Sequence, residues 1–195
     1  MNNKEFWADV MRSGAILGLL MAASRIFERY VLFYSDMELS SASIVLAGEM
    51  LVACVLFIWL LVRFSRRRAA ACDPRVGYSY GVALSYILLI SMFAGVIVGV
   101  GDTIFASMMG YDNYVMGAMA RLTEVKELYA SMGISASELK IFDDAVHAIR
   151  TTTQPSMLSS VFAGFNNYIL FGGLPGLIIA GVVSRKPEYR NIEFY

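Results

Sequence analysis

Apolar and polar positions divide this chain into four long apolar stretches and one amphipathic segment. The third stretch is the clearest. Residues 76–101 read VGYSYGVALSYILLISMFAGVIVGVG, without one charged side chain. As a helix rising about 1.5 Å per residue, such a run reaches roughly 39 Å, more than the roughly 30 Å hydrocarbon core of a bilayer. It predicts a transmembrane helix over 80–108. A second uncharged run, from 151 to 184, predicts a span over 156–183. Two further spans, over 10–34 and 44–62, are apolar with interruptions: Arg25, Glu28 and Arg29 in one, Glu49 in the other. A rival reading makes the start a signal peptide, with Lys4 and Arg12 as its basic residues, an apolar core over 13–23 and a small-residue site at Ala22-Ala23-Ser24. Glu5 and Asp9 beside the basic residues, and the apolar pattern beyond the site, favour the span.

Between 109 and 154 the period changes. Val115, Met119, Leu122, Val125, Leu128, Tyr129 and Met132 recur at three- and four-residue spacing, a helical stripe. Gly133 is a stop signal. Ser135 followed by Glu138 is a capping box for a second helix, with Ile134 and Leu139 at its staple positions. Leu139, Phe142, Ala145, Val146 and Ile149 form that helix's apolar face, and Gln154-Pro155 leads out. The pattern predicts an all-α integral membrane protein in one membrane domain, 1–195. It has four transmembrane helices and an extracytoplasmic amphipathic helical hairpin between spans three and four.

Charge orients this arrangement. The 16 basic and 16 acidic residues cancel, so no global basic field points to nucleic acid. The basic residues sort by side. The loop 63–79 holds Arg63, Arg66, Arg67, Arg68 and Arg75; the tail holds Arg185, Lys186 and Arg190; the loop 35–43 holds none. The positive-inside rule then puts both termini and the 63–79 loop in the cytoplasm, and the hairpin outside. Arg66, Arg67 and Arg68 are read as topology signals before lipid-headgroup contacts.

Ionisable groups within the spans are the strongest chemical lead, because charge at depth is costly and is usually paired or functional. Counting down from the first turn sets Arg25 and Glu49 at similar depth. This predicts an Arg25–Glu49 pair, with Glu28 and Arg29 nearer the surface and Asn166 and Asn167 completing the cluster. A register-fixing structural role is favoured over a transport role. Glycines spaced by four, Gly14/Gly18, Gly77/Gly81, Gly95/Gly99 and Gly172/Gly176, predict helix faces that pack closely. The run Gly172-Gly-Leu-Pro175-Gly176 is a kink or hinge signal in span four. Cys54 and Cys72 fall at different depths, which argues against a disulfide, and His147 is the single histidine. Asp102 is read as a solvated carboxylate at a helix end, the methionines as packing, and terminal aromatics as interface anchors. No nucleophile–base pair, zinc spacing, phosphate loop or dinucleotide fingerprint stands out, so no metal, cofactor or catalytic residue is expected.

A glycine-rich first span, a second span ending in basic residues, and Val76-Gly-Tyr-Ser-Tyr-Gly-Val-Ala-Leu opening the third make a recognisable order. So does the outer segment 125–144, with Met-Gly-Ile-Ser-Ala-Ser-Glu at its middle. The chain resembles the domain-of-unknown-function family 4199, membrane proteins seen mostly in Bacteroidota. That resemblance implies a four-span inner-membrane protein and brings no activity with it. The leading functional expectation is a non-enzymatic membrane component or accessory subunit that presents the hairpin, its partners being the lipid bilayer and a homo-oligomer or membrane protein. A small oligomeric transporter or channel using Arg25 and Glu49 is the alternative. A lipid-acting enzyme ranks third.

Overall fold

The computed structural model describes residues 3–187 as six helices with one isolated backbone bridge. Arg190, counted in the basic tail, lies outside the described residues. The helices are α1 (Asn3–Phe33), α2 (Leu39–Ala70), α3 (Tyr80–Met109), α4 (Tyr111–Ser131), α5 (Ala136–Thr151) and α6 (Met157–Val183). Four of them, α1, α2, α3 and α6, are long and apolar enough to cross a membrane. This is a multi-pass membrane architecture. The 13–23 stretch of the signal-peptide reading lies inside α1, which supplies Val10, Ser13 and Leu17 to the buried core.

Helix α3 is the centre. It packs most extensively on α6, next on α1, and α2 leans on the group from outside. The buried core runs along α3 through Ala83, Tyr86, Ile87, Ile90 and Ala94 and meets Leu61, Ile179 and Ala180. Glycine makes the central contacts possible. A Cβ on Gly95 would lie 2.5 Å from the Gly164 carbonyl oxygen, and one on Gly99 would lie 2.5 Å from the Ser160 carbonyl oxygen. Gly14 and Gly18 admit Phe93 and Ile97 of α3 in the same way, and Gly172 admits Ser91. Three of the four glycine pairs therefore sit at helix contacts. Gly77/Gly81 does not. Gly77 is in the loop before α3 at φ +73°, against the backbone of 185–187, and Gly81 faces open space. Pro175 lies within α6, which stays helical through it.

Helices α3 and α6 begin and end within a residue of the expected spans, whereas α1 begins seven residues before position 10 and α2 five residues before position 44. The arginines expected in a loop over 63–79 extend α2 by two turns to Ala70, leaving only residues 71–79 between helices. Arginine and alanine are good helix formers, and three of these arginines also find a partner. Arg63 lies 5.0 Å over the Trp59 ring, Arg68 5.2 Å over Phe6, and Arg67 pairs with Asp9. Tyr78 and Arg185 exchange backbone hydrogen bonds of 2.9 and 2.8 Å. The first turns of α1, the end of α2, the 71–79 loop and the end of α6 thus share one end of the bundle.

At the other end α4 follows α3 with only Gly110, at φ +81°, between them, and folds against α5 as a helical hairpin. The Ser135–Glu138 capping box forms as the sequence indicates, the Ser135 N–H donating to the Glu138 carboxylate at 3.2 Å. Leu139, Phe142, Ala145, Val146 and Ile149 are the partly buried face of α5. The hairpin also docks on the bundle. Arg121 of α4 donates to the carbonyls of Leu32 and Ser35 at 2.8 and 3.1 Å, and Gly117 lies against the Phe33 backbone.

Candidate functional site

The charged residues of α1 collect in the half of the bundle nearest the hairpin. Successive turns of α1 carry Arg25, Glu28 and Arg29. Arg25 bonds Glu28 at 2.6 Å on its own helix, and Glu49 of α2 accepts from the Ser24 hydroxyl. The expected Arg25–Glu49 pair is therefore replaced by one contact within α1 and one between α1 and α2. The i,i+3 carboxylate of Glu28 is already beside Arg25, and Glu49, on an apolar groove of about 390 Å³ between α1 and α2, reaches Ser24 instead. Asn166 and Asn167 are exposed on α6 and make no side-chain hydrogen bond among the described residues. The neighbouring α6 residue that does join the cluster is Tyr168, within electrostatic reach of Arg25, Asp102, Glu28 and Glu49.

Arg29 takes the partner the sequence reading missed. Its Nη2 donates to Asp102 Oδ2 of α3 at 3.0 Å, and its guanidinium lies 5.9 Å from the Tyr114 ring centroid. Asp102 is thus an interhelical ion-pair member instead of a solvated end residue, with its side chain 17% exposed and that of Arg29 26%. Its second oxygen, Oδ1, is buried and has no hydrogen-bond partner among the described residues. Depth counting from the hairpin end would have found the pair. Arg29 precedes the end of α1 by four residues, and Asp102 precedes the end of α3 by seven.

This pair forms the floor of a chamber of about 210 Å³ where bundle and hairpin meet. Tyr34, Phe105, Tyr111 and Tyr114 wall it, and Gln154 and Ser160 border it from the α5–α6 side. The tyrosines read as interface anchors are in fact its lining. Tyr34 and Phe105 meet edge to face at 5.7 Å, and Tyr111 and Tyr114 stack at 5.7 Å. Burial pushes the phenol of Tyr111 above its ordinary value of 10.0. Two of the lining hydroxyls donate weakly, Tyr34 to Gly110 O at 3.4 Å and Tyr111 to Thr152 O at 3.5 Å.

A second polar network, also unread in the sequence, ties the opposite end. Arg67 donates to Asp9 at 2.5 Å and to Ser13 at 3.1 Å, and the buried Tyr86 hydroxyl donates to Asp9 at 2.8 Å. It joins α1, α2 and α3 through side chains that each looked like ordinary loop or packing residues. Cys54 and Cys72 are both free thiols. Among the described residues no group of three or more His, Cys, Asp or Glu side chains is placed to hold a metal ion.

The sequence model of a family described as a protein of unknown function, DUF4199, matches residues 12–185. The chain belongs to the DUF4199 family. The match covers α1 from Arg12 onward and the whole of α2 to α6, and it ends at Arg185 of the Tyr78–Arg185 bridge. Both polar networks except Asp9, and the whole chamber, therefore fall within the DUF4199 region. No curated protein and no solved structure matches the chain.

Proposed function

We propose that this DUF4199 chain is a non-enzymatic component of a bacterial inner membrane, an accessory subunit that presents the α4–α5 hairpin to a protein partner outside the cytoplasm. The supporting observation is the way the hairpin is mounted. Two amphipathic helices of this size bury little core of their own. Here they are joined by Lys126–Asp143 at 2.5 Å and by the Tyr129 and Phe142 rings at 5.6 Å, then fixed to α1 through Arg121. Met132 and Ile141 remain exposed on this fixed platform. Sidedness follows from charge. Arg63, Arg66, Arg67, Arg68, Arg75 and Arg185 share the end opposite the hairpin, and basic ends stay in the cytoplasm.

Two measurements test this reading. Met132→Cys, in a background without Cys54 and Cys72, is expected to react with a membrane-impermeant maleimide added outside intact spheroplasts; labelling only after lysis refutes the orientation. A photocrosslinker at Ile141 is expected to give one protein adduct of fixed mass in native membranes, abolished by Arg121→Ala. Absence of such an adduct, with native mass spectrometry finding no second subunit, refutes the accessory role.

The small oligomeric transporter or channel remains the second reading, favoured by the ionisable cluster of Arg25, Glu28, Arg29, Glu49 and Asp102. The close α3–α6 contact leaves a pathway between copies rather than within one chain. Liposome flux dependent on Glu49 would replace the accessory role with this one.

A further inference from the structure

We propose that the chamber between bundle and hairpin binds a small oxyanion, a carboxylate or a phosphate, on Arg29. The argument rests on which hydrogen-bonding capacity in the chamber is already used. A guanidinium offers five N–H donors, and Arg29 gives one to Asp102. Arg29 also lines a chamber of about 210 Å³ whose neutral donors include Tyr34, Tyr111, Gln154 and Ser160, whereas Thr103 and Thr152 donate to carbonyls of their own preceding turns. Tyr34 and Tyr111 hold backbone carbonyls only at 3.4 and 3.5 Å, too long to retain a hydroxyl against a charged acceptor. Gln154 and Ser160 make no side-chain hydrogen bond among the described residues.

Open carboxylate acceptors are lacking by contrast. The single carboxylate in the lining is Asp102, whose Oδ2 accepts from Arg29 and whose Oδ1 has no exposed surface. An organic cation would therefore find no open carboxylate, and the Tyr114 ring already carries the Arg29 guanidinium. A donor-rich chamber with a held arginine at its floor selects an acceptor ligand. Asp102 is the positioning residue, fixing the guanidinium in one orientation. Phe105 and Ile149 supply apolar contact for whatever the anionic group is attached to. Because the chamber opens near the ends of α1 and α3, the anion comes either from a soluble metabolite or from a lipid headgroup.

The test uses full-length protein labelled with fluorotyrosine in phosphatidylcholine nanodiscs. Tyr34→Phe and Tyr111→Phe assign the two reporter resonances. Inorganic phosphate and benzoate are titrated separately, and a third sample replaces part of the lipid with phosphatidylglycerol. A saturable shift of Tyr34 and Tyr111, with Tyr129 unmoved, is expected from at least one probe. A shift from phosphate or benzoate identifies a soluble ligand; a shift on adding phosphatidylglycerol alone identifies a headgroup. Affinity is expected to fall roughly tenfold or more in Arg29→Gln, the loss of a charge-assisted contact. The double variant Arg29→Gln/Asp102→Asn removes both charges together and guards against misfolding from an unpaired Asp102; it is expected to lose binding while retaining the Tyr86 and Tyr129 resonances. No saturable shift with any of the three anions, or binding that survives in both Arg29 variants, overturns the proposal.

Discussion

Gly95→Ala isolates the contact on which the bundle depends. The added Cβ would lie 2.5 Å from the Gly164 carbonyl oxygen and 2.8 Å from its carbon, and both are backbone atoms that cannot rotate away. Ordinary contact begins at 3.4 Å, so α3 and α6 must separate locally by about 1 Å (3.4 − 2.5). A gap of that order forfeits a quarter to a half of each dispersion contact along the seam. Overpacking of this kind costs about 1–3 kcal/mol, roughly a five- to 140-fold fall in the folding equilibrium at 1.4 kcal/mol per decade. The control is Gly48→Ala in α2, where a Cβ meets nothing within 4 Å. There the better helix propensity of alanine makes the change neutral or stabilising by at most about 1 kcal/mol. Reversible unfolding of both variants in mixed detergent micelles, followed by circular dichroism, reads the difference directly. Equal stability of Gly95→Ala and Gly48→Ala would refute the claim that glycine is required by the α3–α6 approach.

The remaining expectations concern the polar contacts. In a double-mutant cycle Asp102→Asn with Arg29→Gln should show coupling on the order of 2 kcal/mol, as for a partly buried pair, whereas Glu49→Gln with Arg25→Gln should be additive within about 0.5 kcal/mol. Coupling in the second cycle would restore the pair that the sequence suggested. Tyr86→Phe removes the buried hydroxyl shared by Asp9 and Ser13 and should cost about 1–2 kcal/mol in thermal unfolding. Arg121→Ala should raise amide hydrogen exchange in α4 and α5 while leaving α3 and α6 protected; uniform exchange across all helices would show that the hairpin is not a separate docked unit. The Ser135 hydroxyl and backbone N–H hold the Glu138 carboxyl below its ordinary value of 4.5. Its capping contribution is therefore complete above that ordinary unfolded value and is lost as pH falls through the lower folded value. Exchange in the first turn of α5 should rise over that acidic window, and Glu138→Gln should abolish the pH dependence.

The one-dimensional pattern was enough for everything that depends on a single helix. Apolar runs longer than the bilayer located α1, α2, α3 and α6, and three- and four-residue periodicity with the Ser135–Glu138 box located the hairpin. These features follow from local geometry, since hydrogen bonding and amphipathicity act within a few residues. Partner choice was different. Arg25 has Glu28 and Asp102 within electrostatic reach, and the sequence could not rank Glu28 against Glu49 without the spacing between α1 and α2. Asp102 met Arg29, and Asp9 met Arg67, because three helices converge on α3 at particular rotations about their axes. Of the glycine pairs, Gly95/Gly99 became a seam, while Gly77 took a turn against the 185–187 backbone and Gly81 was left facing open space: a small residue matters only where another backbone comes against it. Span and cap were thus written in the chain. The charged pairs and the chamber above them exist only after the helices have packed, since each draws side chains from helices far apart in sequence and fixes them within a few ångströms.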